Sequence, residues 1–419
     1  MSVPLTRLDV QASACRHCGT ALHRTFIDLG TTPPANSYLR DVDLNRAESF
    51  LPLHVYVCES CLLVQLEQFR TPEELFADYA YFSSYSDSWL EHSERYAEAM
   101  IHRFGLGDDG LVIEVASNDG YLLQYFDQRG VRVLGIEPAA NVAEVAADKG
   151  VPTLVQFFGT ETARRLAAEG TTADLLIANN VLAHVPNVND FVNGLRLLLE
   201  PDGVITAEFP HLLTLIRGNQ FDTIYHEHFS YFSLLTVERI FAAHGLRLFD
   251  VDELATHGGS LRIYACHQAL HRRNAESLDR VRAAERQAGL DQPETYDGFA
   301  RQVNRAKRNL LRFLIDAKSD GKSIVGYGAP AKGNTLLNFC GIGTDFLDYT
   351  VDRSPHKQGL YLPGTRIPIR APEAIAETRP DYVLILPWNL KDEIIAANAH
   401  IRDWGGRFVV PIPEVEVVT

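Results

Sequence analysis

Tyr225-His226-Glu227-His228 places four consecutive side chains that can move protons or bind a metal. Phe221-Asp222-Thr223-Ile224 precedes them and Phe229-Ser230-Tyr231-Phe232 follows, so the ionisable groups sit among aromatic and apolar residues. Such surroundings shift pKa values, which suits acid/base work. If the stretch is extended, residues 225 and 227 share a face and 228 opposes them; if it turns helically, 225 and 228 share one. The sequence leaves both open. A metal at His226 and His228 finds no third or fourth ligand at a recognisable spacing.

A stronger metal signal lies near the N-terminus, in Cys15-Arg16-His17-Cys18 and Cys58-Glu59-Ser60-Cys61. Two Cys-x-x-Cys knuckles read as a tetrahedral zinc site of four thiolates, with the long insert between them folding back. A closed four-sulfur shell leaves no position for substrate, so the zinc is expected to be structural. Flanks that are not basic argue against a nucleic-acid ribbon. The leftover Cys266 and Cys340 lie in apolar runs and are expected in the core.

Stepping out from these groups, 419 residues exceed one core and imply several domains. Lys plus Arg is 39 against 54 Asp plus Glu, a formal charge of −15. That excludes polyanion binding as the main function, though not a local pocket for one small anion. No apolar run has transmembrane length and no signal-peptide pattern opens the chain, so it is expected to be cytoplasmic, without a membrane or nucleic-acid partner.

After the zinc region the pattern alternates strand and helix. Leu111–Val115 reads as a buried strand, Ala116–Tyr121 as a loop and Leu122–Gly130 as a helix. Val131–Ile136 is a second strand ending on Glu137, and a helix follows over roughly 140–149. Strands at 172–180 and 203–209 complete a doubly wound sheet with ligands at its carboxyl ends. Glu137 can accept both ribose hydroxyls of a nucleoside. The first loop offers only Gly120 where a dinucleotide fold wants three glycines, which disfavours NAD and favours a nucleoside without phosphates, S-adenosylmethionine being the obvious one.

Several motifs in order over nearly the whole chain carry a resemblance: the cysteine pairs, Asp78–Ser84, Ser117–Gly120, Gly135–Pro138, Asn179–His184, Tyr225–Ser230, His257–Arg262 and Gly326–Asn334. The chain resembles the sugar C-methyltransferases that act on dTDP-linked 4-keto-6-deoxysugars. One departure is Ala116, where that pattern usually has glycine; an alanine fits there if the backbone dihedrals are ordinary. The resemblance implies a fold of three parts: a small zinc-binding domain, a Rossmann-like class I methyltransferase domain and a second Rossmann-like α/β domain for the sugar nucleotide. Expected boundaries are 1–80, 81–267, a helical linker over 268–320, and 321–419. For the cofactor it implies Ala116, Ser117, Asn118, Asp119 and Gly120, then Glu137, Pro138, Phe158, Asn179 and Asn180. His257, Gly259 and Arg262 are implied for substrate.

Lys322–Tyr327 reads as a strand, Gly328–Asn334 as a loop and Thr335 as a helix start. Such a unit turns backbone N–H groups, a helix dipole and a lysine toward a phosphate. The resemblance implies that it holds the diphosphate, through Tyr327, Pro330, Ala331, Lys332 and Asn334. Arg353 could add a bidentate contact.

Methylating carbon needs a carbanion-like nucleophile, which a neighbouring ketone provides once a base removes the α-proton. Donors must face the developing enolate oxygen. His228 is assigned as base, with His226 left open as the alternative, Tyr225 as donor to the enolate or a hydroxyl, and Glu227 as the group orienting a neighbour or the sugar. The resemblance adds Tyr79 and His184 near the sugar. The expected function is therefore C-methylation, at C3 or C5, of a nucleotide-linked 4-ketosugar by a monomer or weak homo-oligomer. An O-methyltransferase, or an NAD-dependent oxidoreductase or epimerase on a sugar nucleotide, is the alternative.

Overall fold

The computed structural model describes residues 13–76, 83–85 and 87–418. Near the N-terminus, β1 (Arg24–Thr32), β2 (Leu51–Val57) and β3 (Val64–Leu66) form an antiparallel meander, followed by the short α1 (Pro72–Phe76). Alternation in β2 buries Leu53, Val55 and Val57 on one face.

A seven-stranded sheet follows. After α2 (Asp87–Phe104) come β4 (Leu111–Val115), α3 (Leu123–Asp127), β5 (Arg132–Ile136), α4 (Ala140–Asp148) and β6 (Thr153–Leu154). The chain then returns through α5 (Thr160–Ala168), β7 (Ala173–Ile177), α6 (Val188–Leu198) and β8 (Leu199–Pro210). Next are α7 (Leu212–Arg217), the two-residue β9 (Ser230–Tyr231), α8 (Leu234–Ala243), β10 (Leu246–Leu254) and β11 (Ser260–His267). Spatial order is β10-β11-β8-β7-β4-β5-β6; β11 alone runs antiparallel to the others, wedged between β8 and β10. β4 and β7 are buried over most of their length, which suits the β-branched run in β4; the buried Glu114 is its one charged residue. The strand order reverses between β4 and β7, which opens a crevice at their carboxyl ends.

β9 does not join this sheet. It pairs antiparallel with β3, Val64 opposite Tyr231, and so becomes the fourth strand of the N-terminal sheet.

Two helices, α9 (Glu276–Gln287) and α10 (Phe299–Ser319), lead into a third sheet. It contains β12 (Ile324–Tyr327), α11 (Ala331–Cys340), β13 (Thr350–Val351), β14 (Ile369–Arg370), α12 (Ala374–Thr378), β15 (Tyr382–Ile385), α13 (Lys391–Ala397), β16 (Arg407–Val410) and β17 (Glu416–Val418). The order is β14-β13-β12-β15-β16-β17, parallel except for β17. A second reversal, between β12 and β15, opens a second crevice.

The structure differs from the sequence reading at α11, which begins at Ala331 rather than Thr335. Pro330 is its N-cap, with extended dihedrals and a fixed φ suited to a helix entry. Lys332 and Asn334 therefore stand on the first helical turn, not in a loop. The helix expected over 122–130 is shorter, Leu123–Asp127. Among the described residues no helix is long and apolar enough to cross a membrane.

Candidate active site

The stretch 225–228 is a tight turn: the His228 N–H donates to the Tyr225 carbonyl at 2.9 Å. The open choice of the sequence thus resolves as the helical case does. Tyr225 and His228 share a face, their ring centroids 4.0 Å apart, and each keeps an exposed edge. His226 and Glu227 turn inward and are buried.

His228 Nδ1 donates to the Thr223 carbonyl at 2.7 Å. A carbonyl only accepts, so the proton sits on Nδ1 and Nε2 carries the basic lone pair. Burial first, then the neighbouring His184, hold the His228 imidazole well below its ordinary range. His184 packs edge-on against it at 4.7 Å between centroids. Burial pushes His184 down to about 4 against the opposing pull of its hydrogen bond to the Glu227 backbone. His226 Nε2 donates to the Pro52 carbonyl at 3.1 Å, a structural bond that separates the two histidines by role. Burial raises the Glu227 carboxyl to about 7, moderated by Asn36, whose Nδ2 donates to Oε1 at 2.8 Å.

The second crevice supplies the opposite wall. Lys332 Nζ donates to Asn389 Oδ1 at 2.7 Å and lies 5.0 Å from the Trp388 ring centre. The Trp388 indole donates to Asp222 Oδ2 at 2.7 Å, which ties this wall to the segment before the turn. Burial raises Asp222 to about 6, against the Lys332 charge that pulls it down. Burial also lowers Lys332. Gly258 has φ +89°, and a Cβ there would lie 2.7 Å from Trp388, so only glycine permits this approach. Beside it His257, also left-handed, is held at about 4 by burial and then Lys332; its Nε2 has no hydrogen-bond partner among the described residues.

The first crevice fits a nucleoside cofactor. Residues 116, 118 and 120 of the loop after β4 all have positive φ. Glu137, buried at the end of β5, accepts the N–H groups of Asn118 at 3.0 Å and Ala139 at 2.9 Å. Each of its oxygens retains a second lone pair for a hydroxyl. Asp119 Oδ1 and Asn179 Oδ1, at the ends of β4 and β7, are buried with no hydrogen-bond partner among the described residues, which a polar ligand would satisfy. Phe158 packs edge-on against Phe191 at 5.4 Å, beside the β5 and β6 ends.

Several expectations change. Ala116 is not in an ordinary conformation: its φ of +57° is the left-handed region where glycine is favoured. Asn118 and Asp119 face away from a purely cofactor role, since they accept the N–H groups of Ser83 and Ser84. Arg262 is committed elsewhere. It faces Glu208 across the β11–β8 ladder, its Nε 2.7 Å from Oε1, and its guanidinium covers the Tyr96 ring. Burial raises Glu208, but His92 and Arg262 outweigh it and hold the carboxyl low. Arg353 is exposed and pairs with the Glu393 carboxylate at 3.5 Å. Gly259 packs on Thr214, and Tyr327 is core. Tyr79 lies outside the described residues.

Sequence reasoning missed a third contributor, the loop after β1. Besides Asn36, Tyr38 donates to the Ala329 carbonyl at 2.6 Å, and Ala35 accepts from Asn334 at 2.5 Å. Lys357 donates to the same Ala329 carbonyl at 2.9 Å. Only the Pro33-Pro34 turn marked this loop in the sequence, and a turn says nothing about a contact so distant along the chain.

Cys15, Cys18, Cys58 and Cys61 bring their sulfurs within 4.8 Å of one another, and the Cys15–Cys61 and Cys18–Cys58 pairs are 3.5 Å apart. A tetrahedral zinc shell spaces its sulfurs by about 3.8 Å, so these four fit the ion. Gln65 Nε2 donates to Cys15 Sγ at 3.1 Å and orients that ligand.

Residues 15–76 match a zinc binding domain family, 89–251 a methyltransferase domain and 255–413 a C-methyltransferase C-terminal domain. The C-methyltransferase NovU of Streptomyces niveus is 40% identical over 97% of this chain and 96% of its own length. The ubiquinone biosynthesis O-methyltransferase of Bartonella tribocorum is 27% identical over 23% of this chain and 40% of its own. A solved magnesium protoporphyrin IX methyltransferase from Synechocystis, with bound SAH, aligns at 16% identity and TM-score 0.34 over 42% of this chain and 83% of that one.

Proposed function

The chain belongs to the C-methyltransferase family, and from that premise we infer that it methylates carbon on a nucleotide-linked 4-ketosugar: α-methylation of a ketone, at C3 or C5, in deoxysugar biosynthesis. A dTDP carrier is carried over from the resemblance. S-adenosylmethionine supplies an electrophilic methyl group when bound, held by the loop after β4 and by Glu137.

One observation carries the reading. A neutral imidazole, His228, leaves its Nε2 lone pair uncommitted to the Thr223 carbonyl, which sets its tautomer through Nδ1. That nitrogen, Nε2, takes the α-proton as general base. Tyr225, stacked beside it, donates to the developing enolate oxygen. His184 acts on the turn through the Glu227 backbone. Lys332 and Asn334, at the N-terminus of α11, face the anionic part of the substrate, where the helix dipole adds to the lysine charge. A second reading gives the proton to Glu227, whose carboxyl at about 7 is the better-matched base at neutral pH, although Asn36 engages one of its oxygens.

The test incubates the protein with S-adenosylmethionine and a panel of dTDP-4-ketosugars in D₂O, followed by NMR and mass spectrometry. A new C–CH₃ is expected, with deuterium entering the same carbon. A methyl found only on oxygen defeats the enolate mechanism. His228→Asn should lose exchange and turnover while still binding cofactor; near-normal exchange moves the base to Glu227. Zinc on four thiolates suits a reducing compartment, which supports a cytoplasmic location, and the substrate is a small molecule acted on by a monomer or weak homo-oligomer.

A further inference from the structure

The knuckle Cys15-Arg16-His17-Cys18 does more than close a metal shell. Between its two ligands, Arg16 reaches out of the zinc fold into the methyltransferase part. One guanidinium nitrogen donates to the Pro186 carbonyl at 2.8 Å, and the other to the Leu66 carbonyl. The guanidinium also lies 5.5 Å from the centre of the Phe229 ring. Each contact sits directly behind a site residue. Pro186 ends the turn that carries His184, and Phe229 follows His228. Leu66 lies on β3 and donates its N–H to the Phe229 carbonyl at 3.0 Å, while Phe229 donates to Ala183 at 2.8 Å. The backbone of Arg16 is pinned in turn: its N–H donates to Gln65 Oε1 at 2.9 Å, and its carbonyl accepts from Asn189 at 3.2 Å.

We propose that Arg16 is a positioning residue for the His184–His228 pair, so that the cysteine knuckle sets catalytic geometry as well as the stability of its own sheet. The guanidinium straps together three backbone segments behind the two imidazoles. A planar donor group with several N–H bonds can hold two carbonyls and cover a ring at once, which a lysine cannot. Loss of the strap leaves two carbonyls without their donor and frees the turns to shift. A misplacement of about 1 Å is enough to slow a proton transfer on the order of 10²-fold. The proposal rests on the reading of His228 as the base.

The experiment compares wild type with Arg16→Met and Arg16→Lys, each as the full zinc-loaded chain. Zinc content is measured by native mass spectrometry and cofactor affinity by calorimetry. The histidine ring resonances are followed by NMR of protein labelled on histidine alone, with His184→Asn and His228→Asn used to assign them. Arg16→Met should retain its zinc and bind S-adenosylmethionine within about twofold of wild type. The His184 and His228 resonances should nevertheless shift, and kcat for α-proton exchange should fall on the order of 10²-fold with KM little changed. Arg16→Lys should recover part of kcat. Unmoved His184 and His228 resonances in a zinc-loaded Arg16→Met chain overturn the proposal. So does loss of zinc from both variants, which would make Arg16 part of the metal fold alone. If no ketosugar exchanges a proton even with wild type, the functional reading fails, while the NMR comparison still decides the positioning role.

Discussion

Glu227→Gln removes a charge that burial makes unfavourable. The side chain is 6% exposed and has one described donor, Asn36. Its carboxyl rises from 4.5 to about 7 because burial strips water from the ionised form. At about 1.4 kcal/mol for each tenfold change in proton affinity, the ionised carboxylate costs the folded state about 3 kcal/mol. The sign follows from linkage. Below pH 4.5 the folded and unfolded carboxyls are both protonated and the cost is absent; it grows as pH rises and is complete above pH 7. Glutamine mimics the protonated acid, so the variant should match wild type near pH 4.5 and exceed it at pH 8. The gain at pH 8 corresponds to roughly 5–10 °C in Tm for a domain of this size. Thermal unfolding of both proteins from pH 4.5 to 8.5, at fixed zinc, measures the difference directly. A stability difference that does not change with pH would refute the burial account, and one that grew toward acid pH would reverse it.

Other consequences follow from the same site. Because His184 is held at about 4 and His228 well below its ordinary range, kcat/KM should show no limb near 6.5; a limb near 7 that vanishes in Glu227→Gln would instead mark Glu227 as the base. Arg262→Met leaves Glu208 buried with only His92 beside it and should lower stability by about 3 kcal/mol, read by denaturant unfolding, with substrate KM little altered because the guanidinium is spent inside the sheet. Ala116→Gly relieves a left-handed alanine at the cost of chain entropy and should stabilise by about 0.5 kcal/mol; a loss above about 1 kcal/mol in the same assay would contradict the conformation.

Local patterns were the most legible. The β-branched run Leu111–Val115 matches β4 residue for residue, because a strand covered on both faces is rich in such residues even with Glu114 among them. The cysteine spacing carried the metal site, since a knuckle is a local object. What failed was longer in range or finer in conformation. Glycines at 328 and 333 made Ala331–Asn334 read as a loop, although Pro330 favours a helix entry. Arg262 reads as a free cation until antiparallel register sets Glu208 opposite. Asn36 and Tyr38 carry no signal, because their partners Glu227 and Ala329 are brought to them only by tertiary packing. The left-handed φ of Ala116 runs against residue preference, so propensity predicts the wrong basin there.

Strand β9 has a bearing on how the protein is made. The outer edge of β3 is closed by Ser230 and Tyr231, so a ribosome must finish the whole cofactor sheet as far as β8 before the first sheet is complete. Until then the nascent chain carries an open strand edge beside loaded or unloaded cysteines, the kind of surface on which chains stick to one another. A fragment ending after the cysteine knuckles would keep that edge permanently. The zinc module is thus a unit of sequence without being a unit of folding, and the last segment it waits for is the one that carries His228.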